Sequence, residues 1–142
     1  MTTMQEQADE LIEAFDMFDG PNDKYEFLID IGKKLMTLTD ADKTEESKVH
    51  GCQSNVWVVA TVQGDGANKT IDILADSDAQ ITRGVIAVLQ RVYSGHSPQE
   101  ILAFDIDTFL EQVGLNQILS MGRRNGLYGM VQRIKTLAAT TG

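Results

Sequence analysis

The chain switches from helical to strand patterning at Val56 and back to helical patterning at Ser77, which confines any sheet to the middle of the molecule. Val56-Trp57-Val58-Val59-Ala60-Thr61-Val62 is rich in β-branched and aromatic residues, and Lys69 to Ala75 alternates, with Ile71 and Ile73 on one side. Between them, Gln63-Gly64-Asp65-Gly66-Ala67-Asn68 has the composition of a hairpin turn. Lys48-Val49-His50 offers a short additional strand. The expectation is a small three-stranded antiparallel sheet.

Helical spacing surrounds this sheet. Ala8, Leu11, Ile12, Phe15 and Phe18 recur at helical intervals, and Asp19-Gly20-Pro21 ends that run. Pro21 suits the first turn of a second helix, which carries Tyr25, Leu28, Ile29, Gly32 and Leu35 on one stripe. Thr39 to Lys48 is polar and reads as a loop. Beyond the sheet, Ser77 with Gln80 and Ser97 with Glu100 match the capping-box pattern, the second with Pro98 at the first helical position. The first of these caps precedes the stripe Ile81, Val85, Val88, Leu89 and Val92, which Gly95 terminates. A shorter helix spans about Asp107 to Val113 and stops at Gly114. A last helix, from about Arg123, buries Leu127, Met130, Val131, Ile134 and Ala138. The sum is one α+β domain over residues 1–142, several helices packing against one small sheet.

Charge narrows the partners. The chain of 142 residues has a formal net charge of −9, which argues against a general nucleic-acid binder. Glu6 to Asp30 holds nine acids and one base, Lys24. After Glu111 there are no acids, while Arg123, Arg124, Arg133 and Lys135 follow. Such asymmetry influences docking more than fold. No apolar segment approaches bilayer length and none resembles a signal peptide, so a cytoplasmic protein is expected.

Cys52 is the single cysteine, which leaves no intramolecular disulfide and no CxxC pair. With His50 and His96 as the only histidines, the spacing is poor for zinc, and no metal site is expected. Cys52 lies at a strand end in Gly51-Cys52-Gln53-Ser54-Asn55, where glycine removes a side chain from its approach and the neighbours are polar. A dithiol oxidoreductase needs a resolving thiol, which is missing. A Cys–His hydrolase would require His50 as base, although an exposed loop histidine is the plainer reading. An interaction module with a buried Cys52 is a third possibility. The chemistry natural to a lone thiol is to receive a group from one protein and pass it to another.

The run Val49-His50-Gly51-Cys52-Gln53-Ser54-Asn55-Val56-Trp57 closely resembles the GCQSxVW motif of the SufE family, including its CsdE branch. Three further blocks are similar in order: Asp76-Ser77-Asp78-Ala79 with Arg83-Gly84-Val85-Ile86-Ala87, then Tyr93-Ser94-Gly95 with Pro98-Gln99-Glu100-Ile101, then Leu115 to Leu119 with Arg123 and Asn125-Gly126-Leu127. The resemblance implies an α+β fold shared with IscU-type scaffolds. It implies a non-enzymatic sulfur acceptor that takes persulfide sulfur from a PLP-dependent cysteine desulfurase of the SufS type, stimulates it, and relays the sulfur to an iron–sulfur scaffold of the Suf type. Cys52 is then the persulfide-bearing residue, and Gly51, Gln53, Ser54, Asp78 and Arg123 support its loop or the docking surface. No cofactor belongs to the chain itself, since PLP stays with the desulfurase, and a monomer or weak homodimer is expected. Asp76 reads as a turn-closing residue and Trp57 as core.

Overall fold

The computed structural model describes residues 3–35, 38–50 and 54–141. Two strands, β1 (Val56–Gln63) and β2 (Thr70–Ser77), form an antiparallel hairpin in the register Val56 opposite Ser77 through Gln63 opposite Thr70. Helices α1 (Met4–Asp16) and α2 (Gly20–Lys33) precede it. After it come α3 (Gln80–Tyr93), α4 (Pro98–Ala103), α5 (Ile106–Val113), α6 (Leu115–Ile118) and α7 (Met121–Thr141).

The expected third strand is reduced to one bridge. Lys48 pairs with Trp57, with Val49 N–H donating to Val56 O at 2.8 Å and Val58 N–H to Ser47 O at 2.8 Å. The pairing goes no further towards the N-terminus because the preceding residues are folded into a turn. Ser47 Oγ donates to Asp42 O at 2.7 Å, and Thr44 N–H donates back to Ser47 Oγ at 3.0 Å. The other edge of the hairpin is closed by the α3–α4 connection: Ile71 N–H donates to His96 O at 2.9 Å, and Ile73 N–H to Ser94 Oγ at 2.8 Å. These contacts satisfy edge groups that would otherwise pair with another chain.

Val56, Val58, Ile71, Ile73 and Ala75 point to one face and are buried there against α3 and α7. Helix α3 is covered nearly all round. The expected stripe, Ile81, Val85, Val88, Leu89 and Val92, is buried, as are Thr82, Gly84, Ile86 and Tyr93, and α2 crosses the helix at Gly84. That crossing needs glycine on both helices. A Cβ added to Gly32 would stand 2.5 Å from Gly84 N, and one added to Gly84 would stand 2.8 Å from Leu28 C. Tyr25, placed on the same stripe by its spacing, is 39% exposed, so the buried stripe of α2 is narrow, Leu28 and Gly32.

Two further expectations are corrected. Ser77 belongs to β2 and caps no helix; α3 begins at Gln80 after Ala79, without a side-chain cap. Ser77 Oγ instead accepts from Ala79 N–H at 3.2 Å, within the turn that joins strand to helix. Trp57 lies on the face away from the main core and is half-buried, with Lys43 Nζ 5.2 Å above its ring. By contrast, Ser97 and Glu100 form a complete capping box, with both hydrogen bonds at 3.1 Å. Gly114 ends α5 at φ 84°, a left-handed conformation that favours glycine. Among the described residues no helix is long and apolar enough to cross a membrane.

Candidate functional site

Gly51, Cys52 and Gln53 lie outside the described residues. The site is built from the groups around the point where the chain re-enters β1, beginning with Ser54. Ser54 Oγ is 3.1 Å from Thr82 Oγ1 on the first turn of α3 and accepts from Ser77 Oγ at 3.3 Å. Arg123, in the first turn of α7, donates through Nη1 to Ser54 Oγ at 3.2 Å and to Thr82 Oγ1 at 2.9 Å. Residues separated by 69 positions in sequence, Ser54 and Arg123, thus meet directly. A void of about 10 Å³, close to the space of one water molecule, lies among Ser54, Thr82, Arg123 and Met130.

The electrostatics of this cluster are unusual for an acidic chain. The Arg123 guanidinium is bound by hydroxyls and has no ion-pair partner among the described residues. Its charge is oriented by neutral acceptors and is not cancelled by a carboxylate.

Asp78 takes the adjacent position. Its two carboxylate oxygens accept from Asn55 N–H at 3.0 Å and Asn55 Nδ2 at 2.8 Å, while Asp78 N–H donates to Asn55 O at 3.4 Å. This clamp fixes the residue that follows Ser54, so both ends of the Ser54-Asn55 dipeptide are held by α3 and the residues leading into it. Asp78 thus holds Asn55 and stands outside the first turn of α3.

Three participants carry no individual signal in the sequence reading. Thr82 is 5% exposed on a helix face that is otherwise apolar, the one cue that could have marked it. Asn55 belongs to the cysteine motif but shows its role only through Asp78. Asp76, read as a turn residue, is a buried anchor at 1% exposure. It accepts from Leu38 N–H at 3.1 Å and Ser77 N–H at 2.8 Å, pairs with Arg83, and lies 3.5 Å from Lys43 Nζ. Arg83 Nη2 in turn donates to Leu35 O at 2.6 Å. His50 is turned to solvent and lies 3.3 Å from Glu45 Oε1, as an exposed loop histidine would. Among the described residues no group of three or more His, Cys, Asp or Glu is placed to hold a metal ion.

Comparison with known proteins agrees with these features. Residues 9–138 match the family model SufE, described as an Fe-S metabolism associated domain. An uncharacterized SufE-like protein of Rhizobium etli is 40% identical over 127 residues, covering 89% of this chain and 86% of that protein. A second, from Rhizobium meliloti, is 36% identical over 130 residues, covering 92% and 93%. A solution structure of a hypothetical protein from Thermus thermophilus superposes with a TM-score of 0.75 over 94% of both chains at 19% identity, a likeness of fold. With its ordered motif blocks, its helix-covered hairpin and a family match along nearly its whole length, the chain belongs to the SufE family, whose domain is associated with iron–sulfur metabolism.

Proposed function

We propose that this protein accepts persulfide sulfur on Cys52 from a PLP-dependent cysteine desulfurase of the SufS type, stimulates that enzyme, and relays the sulfur to an iron–sulfur scaffold of the Suf type. The observation that carries the reading is Arg123, whose guanidinium is held on Ser54 and Thr82 at 3.2 and 2.9 Å. Cys52 precedes Ser54 by two residues, a chain length of at most about 7 Å. Positive charge near a thiol favours its thiolate, the form that attacks sulfur.

In the step proposed, the Cys52 thiolate attacks the terminal sulfur of the donor persulfide. The donor's S–S bond breaks, a new S–S bond forms to Cys52, and the donor cysteine leaves as its thiolate. The electron count is unchanged overall, so no external oxidant or reductant takes part. In this reading the chain is a carrier with no cofactor of its own. PLP does its chemistry on the desulfurase, and the cluster is cargo downstream.

The test is intact mass after incubation with an active SufS-type desulfurase and cysteine. A gain of about one sulfur atom, reversed by reductant and absent in Cys52→Ser, is expected. An unchanged mass with a desulfurase that turns over, or the same gain in Cys52→Ser, would overturn the reading.

A further inference from the structure

Thr82 is buried on the first turn of α3, at 5% exposure. A buried threonine in a helix ordinarily gives its hydroxyl proton to the carbonyl one turn back. Thr82 shows no such bond. Among the described residues its Oγ1 meets Ser54 Oγ at 3.1 Å and Arg123 Nη1 at 2.9 Å. The hydroxyl thus serves groups from two other segments of the chain.

The direction of these bonds follows from a count of protons and lone pairs. Ser77 Oγ accepts from Ala79 N–H at 3.2 Å and donates to Ser54 Oγ at 3.3 Å. Ser54 Oγ also accepts from Arg123 Nη1 at 3.2 Å, so both of its lone pairs are occupied. Its own proton is left to donate to Thr82 Oγ1. Thr82 Oγ1 then accepts twice, from Ser54 and from Arg123, and both N–H groups of Nη1 are used. The N–H groups on Nη2 and Nε of Arg123 have no partner among the described residues, and that edge of the guanidinium is suited to an anion.

We propose that Thr82 is a positioning residue for Arg123: its hydroxyl fixes the guanidinium through Nη1 and leaves the Nη2–Nε edge to stabilise the Cys52 thiolate in sulfur transfer. Ser54 by itself would let the guanidinium swing about a single hydrogen bond. The second acceptor sits on a β-branched side chain, which has few rotamers in a helix. The inference rests on the sulfur-acceptor reading of Cys52. Alkylation of the thiol needs no desulfurase, so the two fail separately: a parent protein that takes up no sulfur refutes that reading, and an alkylation profile indifferent to the Thr82 hydroxyl refutes this one.

The test is the pH profile of Cys52 alkylation in the full chain. Thr82→Val keeps the shape and removes the hydroxyl; it should slow alkylation at neutral pH about three- to fivefold and move the profile to higher pH. Thr82→Ala should move it in the same direction, which makes the result independent of how valine packs. Thr82→Ser returns the hydroxyl and should bring the rate to within about twofold of the parent. In an Arg123→Gln background Thr82→Val should add nothing, because the threonine acts through the arginine. A profile unchanged in both hydroxyl-free variants, a Thr82→Ser variant as slow as Thr82→Val, or equal slowing by Thr82→Val with and without Arg123 would each overturn the proposal.

Discussion

Asp76 and Arg83 form a buried ion pair across the turn from β2 to α3, with side-chain exposures of 1% and 17%. Around this pair, Asp76 receives Leu38 N–H while Arg83 donates to Leu35 O, so one carboxylate–guanidinium unit binds the backbone on both sides of residues 36 and 37. It thereby fixes the end of α2 to the strand that also supplies Ser77 to the Ser54 cluster.

Removing one partner leaves the other charge buried and unmatched. Asp76→Ala is expected to cost about 3 kcal/mol, read from urea denaturation at pH 7. A loss below about 1 kcal/mol would show that solvent replaces the pair readily.

The α2–α3 crossing gives a second prediction. A methyl group at Gly84 would meet the backbone of Leu28, which cannot move aside as a flexible side chain can. Gly84→Ala is expected to destabilise the fold by about 3 kcal/mol, although alanine is the better helix former. A rise in the thermal midpoint would contradict the close approach.

Arg123 should matter more to reactivity than to stability. Arg123→Gln is expected to slow Cys52 alkylation at neutral pH by roughly tenfold, through a raised thiol pKa. The thermal midpoint should change little, since the bonds lost are two at a half-buried position. An unchanged alkylation pH profile would remove Arg123 from the thiol's environment.

The capping box of α4 predicts a pH dependence. The Ser97 N–H donates to Glu100 and holds its carboxyl below the ordinary glutamate range, opposed by partial burial and helped by the Ser97 side chain and by His96. Because the folded-state value is depressed, the stabilisation is present above the unfolded value and disappears as pH falls through the folded one. Glu100→Gln keeps an acceptor and removes the charge. It should lower stability at pH 7 by under about 1 kcal/mol, and the difference from the parent should vanish in acid. A difference that persists at pH 2 would assign the effect to packing.

What could be read along the chain was local. The stripes of α3 and α7, the hairpin between Val56 and Ser77 and the stop at Gly114 follow from spacing, turn residues and backbone freedom. The Ser97 box was legible because both partners lie within one turn. Ser77 and Gln80 show the same spelling with a different outcome, because the hydrogen-bonding ladder with Val56 claims Ser77 for β2. The third strand failed in a similar way: Lys48 has a partner in Trp57, but Ser47 is already committed to its turn.

From sequence alone, motif order identified the family and singled out Cys52 as the residue on which a sulfur-transfer reading turns. Tertiary structure decided what surrounds the entry to β1. It made Asp76 an anchor, brought Thr82 and Arg123 to Ser54, and left the Arg123 charge facing hydroxyls. The physical reason is distance along the chain. Capping, turn and stripe preferences act within a few residues, whereas these contacts join groups from 28 to 69 positions apart and exist only after the helices have packed on the hairpin.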